Sequence, residues 1–217
     1  MEADQADALG VPITLQLAGA IALCVGGGNV AARRVPALLA AGAVVSVISP
    51  ELHPSLQALV AGGAVLHLPR SFETGDAADA FFVLAATNDA EVNRAVAAEV
   101  RSRNGLVCVA SNSTLGNCSF MSTIRRGALT IGVQTGGSSP AVAAAIRSRV
   151  ENALPEDIEP MLEKLAALRI KLKARQPDPV TRGNLWRRVA DSGEIDNAIA
   201  GEAGALDRIR ALLEFDR

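Results

Sequence analysis

The sequence has few of the residues from which metal centres and redox motifs are built. It contains three cysteines, Cys24, Cys108 and Cys118, and two histidines, His53 and His67, in 217 residues. No two cysteines have the Cys-x-x-Cys spacing, and two of them fall in apolar segments, where a thiol behaves as a small hydrophobic side chain. We therefore interpret the cysteines as structural, and we predict no metal site.

Neither sign of charge predominates, because 21 lysines and arginines oppose 23 aspartates and glutamates and leave a formal net charge of −2. Such a chain creates no overall field that attracts nucleic acid, so an anionic ligand must be met by local arginines. No apolar run approaches the roughly 18 residues of a membrane helix. Residues 1–7 are acidic where a secretory signal requires a basic start. We expect a cytoplasmic protein that binds neither nucleic acid nor membrane.

Short apolar segments alternate with helical patterns in the first half of the chain. Apolar residues make up 49% of the sequence, which is enough for a full core. The predicted strands are residues 21–25, 44–48, 64–68, 81–86 and 106–110. The predicted helices are residues 31–41, residues 54–61 and a segment that follows residues 87–89 and ends near residue 104. This alternation predicts an α/β fold, a Rossmann-type parallel sheet covered by helices on both faces.

The first predicted strand runs directly into Gly26-x-Gly28-x-x-Ala31 and then into an alanine-rich helix. In this context Gly26 allows a tight turn, Gly28 lets the backbone approach a pyrophosphate, and Ala31 permits close packing of helix on strand. Asn29 and Val30 stand at the helix N-terminus, where unpaired N–H groups and the positive end of the dipole favour phosphates. The pattern therefore predicts a dinucleotide site at Gly26, Gly28, Asn29 and Val30.

Residues after the second and fourth strands complete the predicted site, because ligands bind beyond the carboxyl ends of parallel strands. Glu51 either grips an adenosine ribose or is an ordinary surface acid. No arginine follows the second strand to receive a 2′-phosphate, which favours NAD over NADP. Thr87 and Asn88 either cap the next helix or contact the cofactor, and both roles can hold together. The candidate cofactor residues at these strand ends are Ser49, Pro50, Glu51, Ala86, Thr87 and Asn88.

The pattern changes after about residue 118. It predicts a strand over residues 129–133 and a helix over residues 140–153 that Ser139 caps. The turn between them is either a plain turn or an anion seat. Nearby arginines either pair with ligand carboxylates or are solvated, and the solvated interpretation is favoured for Arg147 and Arg149. The candidate substrate residues are Arg125, Arg126, Thr135, Gly136, Gly137 and Ser138. Beyond residue 154 we predict two or three helices with apolar packing stripes.

Five motifs occur in a fixed order along the chain. They are Gly26-Gly27-Gly28-Asn29-Val30-Ala31 with Arg33, Val47-Ile48-Ser49-Pro50-Glu51, Ala85-Ala86-Thr87-Asn88-Asp89 with Asn93, Arg126-Gly127-Ala128-Leu129, and Thr135-Gly136-Gly137-Ser138-Ser139-Pro140-Ala141. In these motifs and their spacing, roughly residues 12–155 resemble the precorrin-2 dehydrogenase, or sirohydrochlorin ferrochelatase, module of siroheme biosynthesis.

The resemblance implies three parts: an NAD-binding Rossmann domain over residues 1–113, a dimerisation region over residues 114–153 and a C-terminal helical domain over residues 154–217. It implies a homodimer that binds a tetrapyrrole and oxidises precorrin-2 to sirohydrochlorin with NAD as hydride acceptor. Some members of that family then insert ferrous iron to give siroheme.

One position departs from the family pattern. The acidic residue expected after the fifth strand is Ser111 here, and a serine is no carboxylate base at neutral pH without a partner. We assign Ser111 the family's catalytic position, expect dehydrogenation with solvent or a substrate carboxylate taking the proton, and leave ferrochelatase activity open. Two alternatives remain: a chelatase or tetrapyrrole carrier that does not oxidise its ligand, and a regulatory module that senses NAD.

Overall fold

The structure is a computed structural model that describes residues 10–213. The acidic residues 1–7, on which the expectation about a secretory signal rests, lie outside the described residues. The chain divides after Phe120 into two compact units. Each unit has its own sheet, and the first unit has two hydrophobic cores and the second unit has one.

The first unit alternates strands and helices, as the sequence predicts. Its strands are β1 (Ile21–Val25), β2 (Val44–Ile48), β3 (Val65–Leu68), β4 (Phe82–Ala85) and β5 (Leu106–Val109). Its helices are α1 (Asn29–Ala40), α2 (Pro54–Ala61) and α3 (Ala90–Ser102). The boundaries differ by one or two residues from the predicted ones, which is the usual uncertainty at the ends of elements.

The five strands form one parallel sheet in the order β3-β2-β1-β4-β5. Strand β1 lies at the centre, with Ile21 opposite Val44 of β2 and Ala22 opposite Phe82 of β4. The chain builds outwards from β1 to β3 and then returns to the other side of β1. The carboxyl ends of β1 and β4 therefore meet at the point where the strand order reverses, which is where open α/β sheets bind ligands.

Alternation along each strand divides the buried side chains between two cores. Cys24 on β1 packs on the face that α1 and α2 cover, together with Val35 and Leu56. Val25, the next residue, packs on the face that α3 covers, together with Val96. The sheet is thus buried on both faces, which explains why its strands read as continuous apolar segments. The predicted Rossmann-type fold is confirmed in this unit.

The second unit begins with an antiparallel hairpin, and the sequence predicted only the second of its two strands. Strand β6 (Ser122–Arg126) pairs with β7 (Leu129–Val133), and Arg126 stands opposite Leu129 across a two-residue turn. Gly127 in that turn has a φ of 54°, a left-handed conformation that glycine adopts without strain. We predicted β7 but not β6, because β6 has a single buried apolar residue, Ile124, among polar ones.

Five helices follow the hairpin in the described part of the second unit. They are α4 (Pro140–Ala153), α5 (Ile158–Arg175), α6 (Pro179–Asp191), α7 (Glu194–Ile199) and α8 (Ala205–Leu212). Four of them lie beyond residue 154, so the prediction of two or three helices there was too low. The extra boundary is at Gly193, whose φ of 76° allows the sharp turn between α6 and α7.

Helix α4 packs on the hairpin, whereas α5 to α8 surround a separate core of residues such as Met161, Val189 and Ile209. None of the helices within residues 10–213 is long and apolar enough to cross a membrane. The boundaries that we predicted at residues 113 and 153, and the dimerising role of the middle part, stay predictions.

Candidate dinucleotide site

The turn after β1 is held against the ends of two neighbouring strands. Gly26 has a φ of 106° and donates its N–H to the carbonyl of Ile48 over 2.8 Å. A Cβ on Gly26 would stand 2.5 Å from the carbonyl oxygen of Ala86. Both the conformation and the close approach require glycine, so the turn is fixed at the point where β1, β2 and β4 end.

Gly27 has an equally strict requirement, which our sequence interpretation did not assign to it. A Cβ at this position would lie 2.2 Å from the carbonyl oxygen of Glu51 and 2.7 Å from Cδ2 of Leu52. The carbonyl of Gly27 also accepts a hydrogen bond of 2.7 Å from the N–H of His53. Gly27 thus packs the glycine turn against the β2–α2 loop, and the only signal in the sequence was its place between the two motif glycines.

Gly28 differs from both of its neighbours because a Cβ added to it meets no described protein atom within 4 Å. It is the N-cap of α1, and no side chain caps the helix there. The first turn of α1 contains no acidic residue. Exposed N–H groups, the positive end of the helix dipole and open space above an exposed glycine are the features that a diphosphate needs. The residues present therefore fit the phosphates of a dinucleotide.

The loop after β2 is organised by Ser49. Its hydroxyl donates to the carbonyl of Glu51 over 2.7 Å, and its own carbonyl lies 2.9 Å from Nε2 of His67. Ser49 is only 9% exposed, whereas Pro50 and Glu51 are exposed. The Ser49 side chain therefore shapes the loop and leaves the side chain of Glu51 exposed.

A cavity of about 510 Å³ lies beside this loop, between α2 and β3. It is lined by Pro50, Glu51, Leu52, Gln57, Val60, Ala61 and His67. Its position at the carboxyl end of β2 continues the site predicted for the adenosine half of a dinucleotide.

Thr87 is hydrogen-bonded within the turn that precedes α3. Its hydroxyl accepts from the N–H of Asp89 over 3.1 Å and is within hydrogen-bond distance of Oδ1 of Asn93 at 2.9 Å. Asp89 is the N-cap of α3 and accepts from two backbone N–H groups through its side chain. The structure shows the role of Thr87 in the turn before α3, and its contact with the cofactor stays a prediction. Asn88, which lies between Thr87 and Asp89, is exposed.

Asn93 connects Thr87, which follows β4, to Ser111, the second residue after β5. It is 1% exposed, and its Oδ1 accepts from the N–H of Thr87 over 3.2 Å while its Nδ2 donates to the carbonyl of Thr87 over 3.0 Å. These two backbone partners fix which end of the amide is which. The same Nδ2 donates to the hydroxyl oxygen of Ser111 over 3.3 Å.

That orientation decides what the Ser111 hydroxyl can do. Because its oxygen accepts the hydrogen bond from Asn93, its own hydrogen is free to be donated elsewhere. Ser111 is exposed. The position that the family pattern gives to an acid therefore carries a hydrogen-bond donor that faces solvent.

Arg125 and Arg126 are adjacent on β6, so their side chains leave opposite faces of the hairpin. Arg125 is exposed and Arg126 is half-buried. Arg147 is half-buried and forms an ion pair with Glu151 one helical turn later.

The turn before α4 is compact and internally bonded. The Thr135 hydroxyl lies 3.2 Å from the Ser139 carbonyl, and the N–H of Ser138 donates to the Thr135 carbonyl over 3.0 Å. Gly136 and Gly137 both have positive φ, at 60° and 82°. Ser139 caps α4 through its hydroxyl, as predicted. The hydroxyl of Thr135 is thus engaged within the turn.

Both histidines have structural partners. His53 caps α2, with Nδ1 accepting from the N–H of Ser55. His67 must donate from Nε2, because its partner is a carbonyl oxygen. Within the described part of the chain, no group of three or more histidine, cysteine, aspartate or glutamate residues is placed to hold a metal ion.

The cysteines have little thiolate character. Burial raises the pKa of Cys24 and of Cys118 to about 12, and it also raises the pKa of Cys108. Thiols with such pKa values are poor nucleophiles at neutral pH.

The parallel sheet with a reversed strand order, and a glycine turn open to a diphosphate at the reversal, define an α/β protein of the dinucleotide-binding class. The chain belongs to the family described as putative NAD(P)-binding, whose model matches residues 13–122. The predicted class of cofactor, a nicotinamide dinucleotide, is confirmed at this level.

Longer proteins resemble most of the chain. The siroheme synthase of Thioalkalivibrio sulfidiphilus is 37% identical over 206 residues, which cover 94% of this chain and 42% of that protein. The siroheme synthase of Chromobacterium violaceum is also 37% identical, over 89% of this chain and 41% of its own length. The chain thus spans about two-fifths of these relatives. They agree with the resemblance that the motifs carry.

One solved structure has the same fold along nearly its whole length. The structure described as SirC, precorrin-2 dehydrogenase, superposes with a TM-score of 0.79 and 23% sequence identity, covering 94% of this chain and 99% of that one. The arrangement of a Rossmann-type unit followed by a hairpin and helices is therefore shared with that protein.

Proposed function

We propose that this protein oxidises precorrin-2 to sirohydrochlorin with NAD as hydride acceptor, in the biosynthesis of siroheme. The observation that carries the proposal is the open glycine turn at the point where the strand order of the sheet reverses. The siroheme synthases that resemble most of the chain support it. The solved structure of a precorrin-2 dehydrogenase with the same fold supports the same reaction. The reaction would take place in the cytoplasm, as we expect from the sequence.

The oxidation removes two electrons and two protons from the macrocycle. One hydrogen leaves as hydride, which NAD accepts when bound, and the other leaves as a proton. The protein's contribution is mainly to position the macrocycle against the nicotinamide and to exclude other geometries. No ionisable base is needed in the crevice if water takes the proton.

Residues of the first unit would hold the cofactor. Gly28 and the N–H groups of Asn29 and Val30 would receive the diphosphate, and Gly26 would keep the turn in place. Pro50 and Glu51 would border the adenosine ribose, with Ser49 holding their loop. The strand end at Ala86, with Thr87 and Asn88, would border the nicotinamide half.

Ser111 would act as a hydrogen-bond donor rather than as a base. Its oxygen already accepts from Asn93, so its hydrogen is available for a carbonyl, carboxylate or ring nitrogen of the substrate. Loss of one such hydrogen bond costs about 1 kcal/mol, whereas loss of a general base costs about 10²-fold to 10⁴-fold in rate. We expect Ser111→Ala to lower the rate of NADH formation by about tenfold or less.

Residues of the second unit are the candidate contacts for the carboxylates of the substrate. Arg125 and Arg126 would pair with carboxylate side chains of the tetrapyrrole. Because the two arginine side chains leave opposite faces of β6, each would bind a different carboxylate. Thr135, Gly136 and Gly137 would offer backbone N–H groups to a further carboxylate, and Ser138 would offer its exposed hydroxyl. A homodimer is expected, and analytical ultracentrifugation of the purified protein tests it.

The decisive experiment is an anaerobic assay with enzymatically generated precorrin-2 and NAD, in which NADH and the absorption spectrum of sirohydrochlorin are followed together. We expect NAD-dependent conversion. Ferrous iron is then added in a second stage, so that chelation is scored separately from oxidation. Ser111→Asp is the matched variant, because it places the family's acid at the same position.

The remaining outcomes separate the alternatives. Tight binding of sirohydrochlorin without NADH formation would favour a chelatase or tetrapyrrole carrier. NAD binding without affinity for tetrapyrroles would favour a regulatory module that senses NAD. Either result would refute the proposed dehydrogenase.

A further inference from the structure

A second cavity lies in the helical part of the chain, away from the glycine turn in sequence. It has a volume of about 370 Å³ and is formed by α5 and α6. Three of its six lining residues are cationic and one is the only tryptophan of the chain. The lining residues are Arg169, Lys173, Pro179, Arg182, Gly183 and Trp186. We refer to this cavity as the α5–α6 groove.

The spacing of these residues places them in two rows. Arg169 and Lys173 are four residues apart on α5, and Arg182 and Trp186 are four residues apart on α6. Residues four apart share one face of a helix. The groove therefore has a wall of two positive charges and an opposite wall of one guanidinium and one indole.

The positive charges of the α5–α6 groove are not neutralised by its other residues. Neither Arg169 nor Lys173 has an ion pair with any residue in the range 10–213, and no acidic side chain lines the groove. Arg182 donates from Nη1 to the carbonyl of Gln176 over 2.7 Å and also to that of Pro177. These bonds hold its guanidinium in place at the junction of the two helices.

We propose that the α5–α6 groove binds the edge of a planar, conjugated anion through its carboxylate or phosphate groups. Guanidinium and ammonium groups on both sides suit several negative charges on one ligand, and an indole offers a flat face to a ring. The volume is near the lower end of the range for small-molecule sites, about 300–1,000 Å³. It therefore takes one ring with its acidic substituents rather than a whole macrocycle.

If the ligand takes part in the proposed reaction, it is a tetrapyrrole polycarboxylate, and that assignment rests on the proposed function. A nucleotide shares the same chemistry of a planar ring beside negative charge. The two sources are separated by testing both. The groove residues differ from all the residues assigned to NAD or to the proposed oxidation, so the two proposals can fail independently.

Trp186 makes the site directly observable, because the chain has one tryptophan and no tyrosine. The full-length protein is titrated with mellitate, a planar hexacarboxylate, with uroporphyrin and with ADP, and tryptophan fluorescence and calorimetric heat are recorded. The test variant is Arg169→Gln with Lys173→Gln. The matched control is Lys164→Gln with Lys171→Gln, which removes the same charge from exposed positions on α5 outside the groove.

We expect mellitate to change Trp186 fluorescence, and we expect the groove variant to bind it at least about tenfold more weakly than the control variant does. Uroporphyrin binding that is lost in the groove variant alone supports a tetrapyrrole as the ligand, and ADP binding lost in the same way supports a nucleotide. Equal affinities in the two variants, or no binding of any probe, would overturn the proposal. NADH formation in the precorrin-2 assay is measured on the same variants, so a failed groove is distinguished from a failed dehydrogenase.

Discussion

Replacing Gly27 and Gly28 one at a time by alanine should separate the stability of the glycine turn from its affinity for a ligand. The two residues are adjacent, and neither has a positive φ that would strain an alanine. At Gly27 the new methyl group would lie 2.2 Å from the carbonyl oxygen of Glu51. At Gly28 it would meet no described atom within 4 Å.

The magnitudes follow from these distances. A methyl group forced against backbone must move the β2–α2 loop and disturb the hydrogen bond from His53 to Gly27, at a cost of about 2 kcal/mol. In a protein of this size that cost lowers the Tm by about 4–8 °C. Gly28→Ala adds a methyl group to open space, so its cost is limited to the weaker N-capping of alanine, about 0.5–1 kcal/mol.

Dinucleotide affinity should respond in the opposite way. The methyl group of Gly28→Ala fills the space above the N-terminus of α1 that a diphosphate requires, so we expect the Kd for NAD to rise about tenfold or more, which corresponds to about 1.4 kcal/mol. Thermal unfolding and isothermal titration with NAD measure the two effects. Unchanged NAD affinity in Gly28→Ala would show that the diphosphate does not pass over this residue, and an unchanged Tm in Gly27→Ala would refute the argument from close approach.

Three further results are expected. Asn93→Ala should lower the free energy of unfolding by about 2 kcal/mol in urea denaturation, because it leaves half-buried backbone groups of Thr87 without their partner, and an unchanged midpoint would contradict this. The hydrogen bonds from Arg70 hold the pKa of Asp76 below its ordinary value of 3.8. The ion pair therefore stabilises the fold above pH 3.8, and this contribution is lost as the pH falls through the lowered pKa. Asp76→Asn should reduce the loss of stability that is measured below about pH 4. Because burial raises the pKa of Cys24 and of Cys118 to about 12, neither should react with iodoacetamide near neutral pH until the protein is unfolded, as mass spectrometry can show.

The Rossmann-type unit could be predicted from the sequence because its signals are local. A strand buried on both faces must be continuously apolar, and the segment over residues 44–48 gave the bounds of β2 without error. The helix over residues 54–61 was also predicted with its observed bounds, since a proline begins it and a pair of glycines follows it.

The elements that escaped prediction depend on contacts distant in sequence. Strand β6 is polar and is stabilised by pairing with β7, which a local pattern does not reveal. The requirement for glycine at position 27 comes from the carbonyl of Glu51, which approaches it only after β2 has paired with β1. The orientation of Ser111 depends on Asn93, which lies 18 residues before it.

The α5–α6 groove could not be predicted from helical periodicity alone. Met161 and Leu172 mark the apolar stripe of α5, and they reveal which face is buried. Which cations on the exposed faces meet those of α6 depends on how the two helices turn at residues 176–178, and no pattern in the sequence fixes that angle.

The central position of β1 also sets the order in which the sheet can be completed as the chain leaves the ribosome. One edge of β1 pairs with β2, which follows after about 20 residues, but its other edge must wait for β4, whose last residue is Ala85. Until then a three-stranded sheet would present the unpaired N–H and C=O groups of β1 at an open edge, where another chain could add a strand. Fragments that end before Ala85 should therefore aggregate, whereas fragments that extend past β5 should close the sheet.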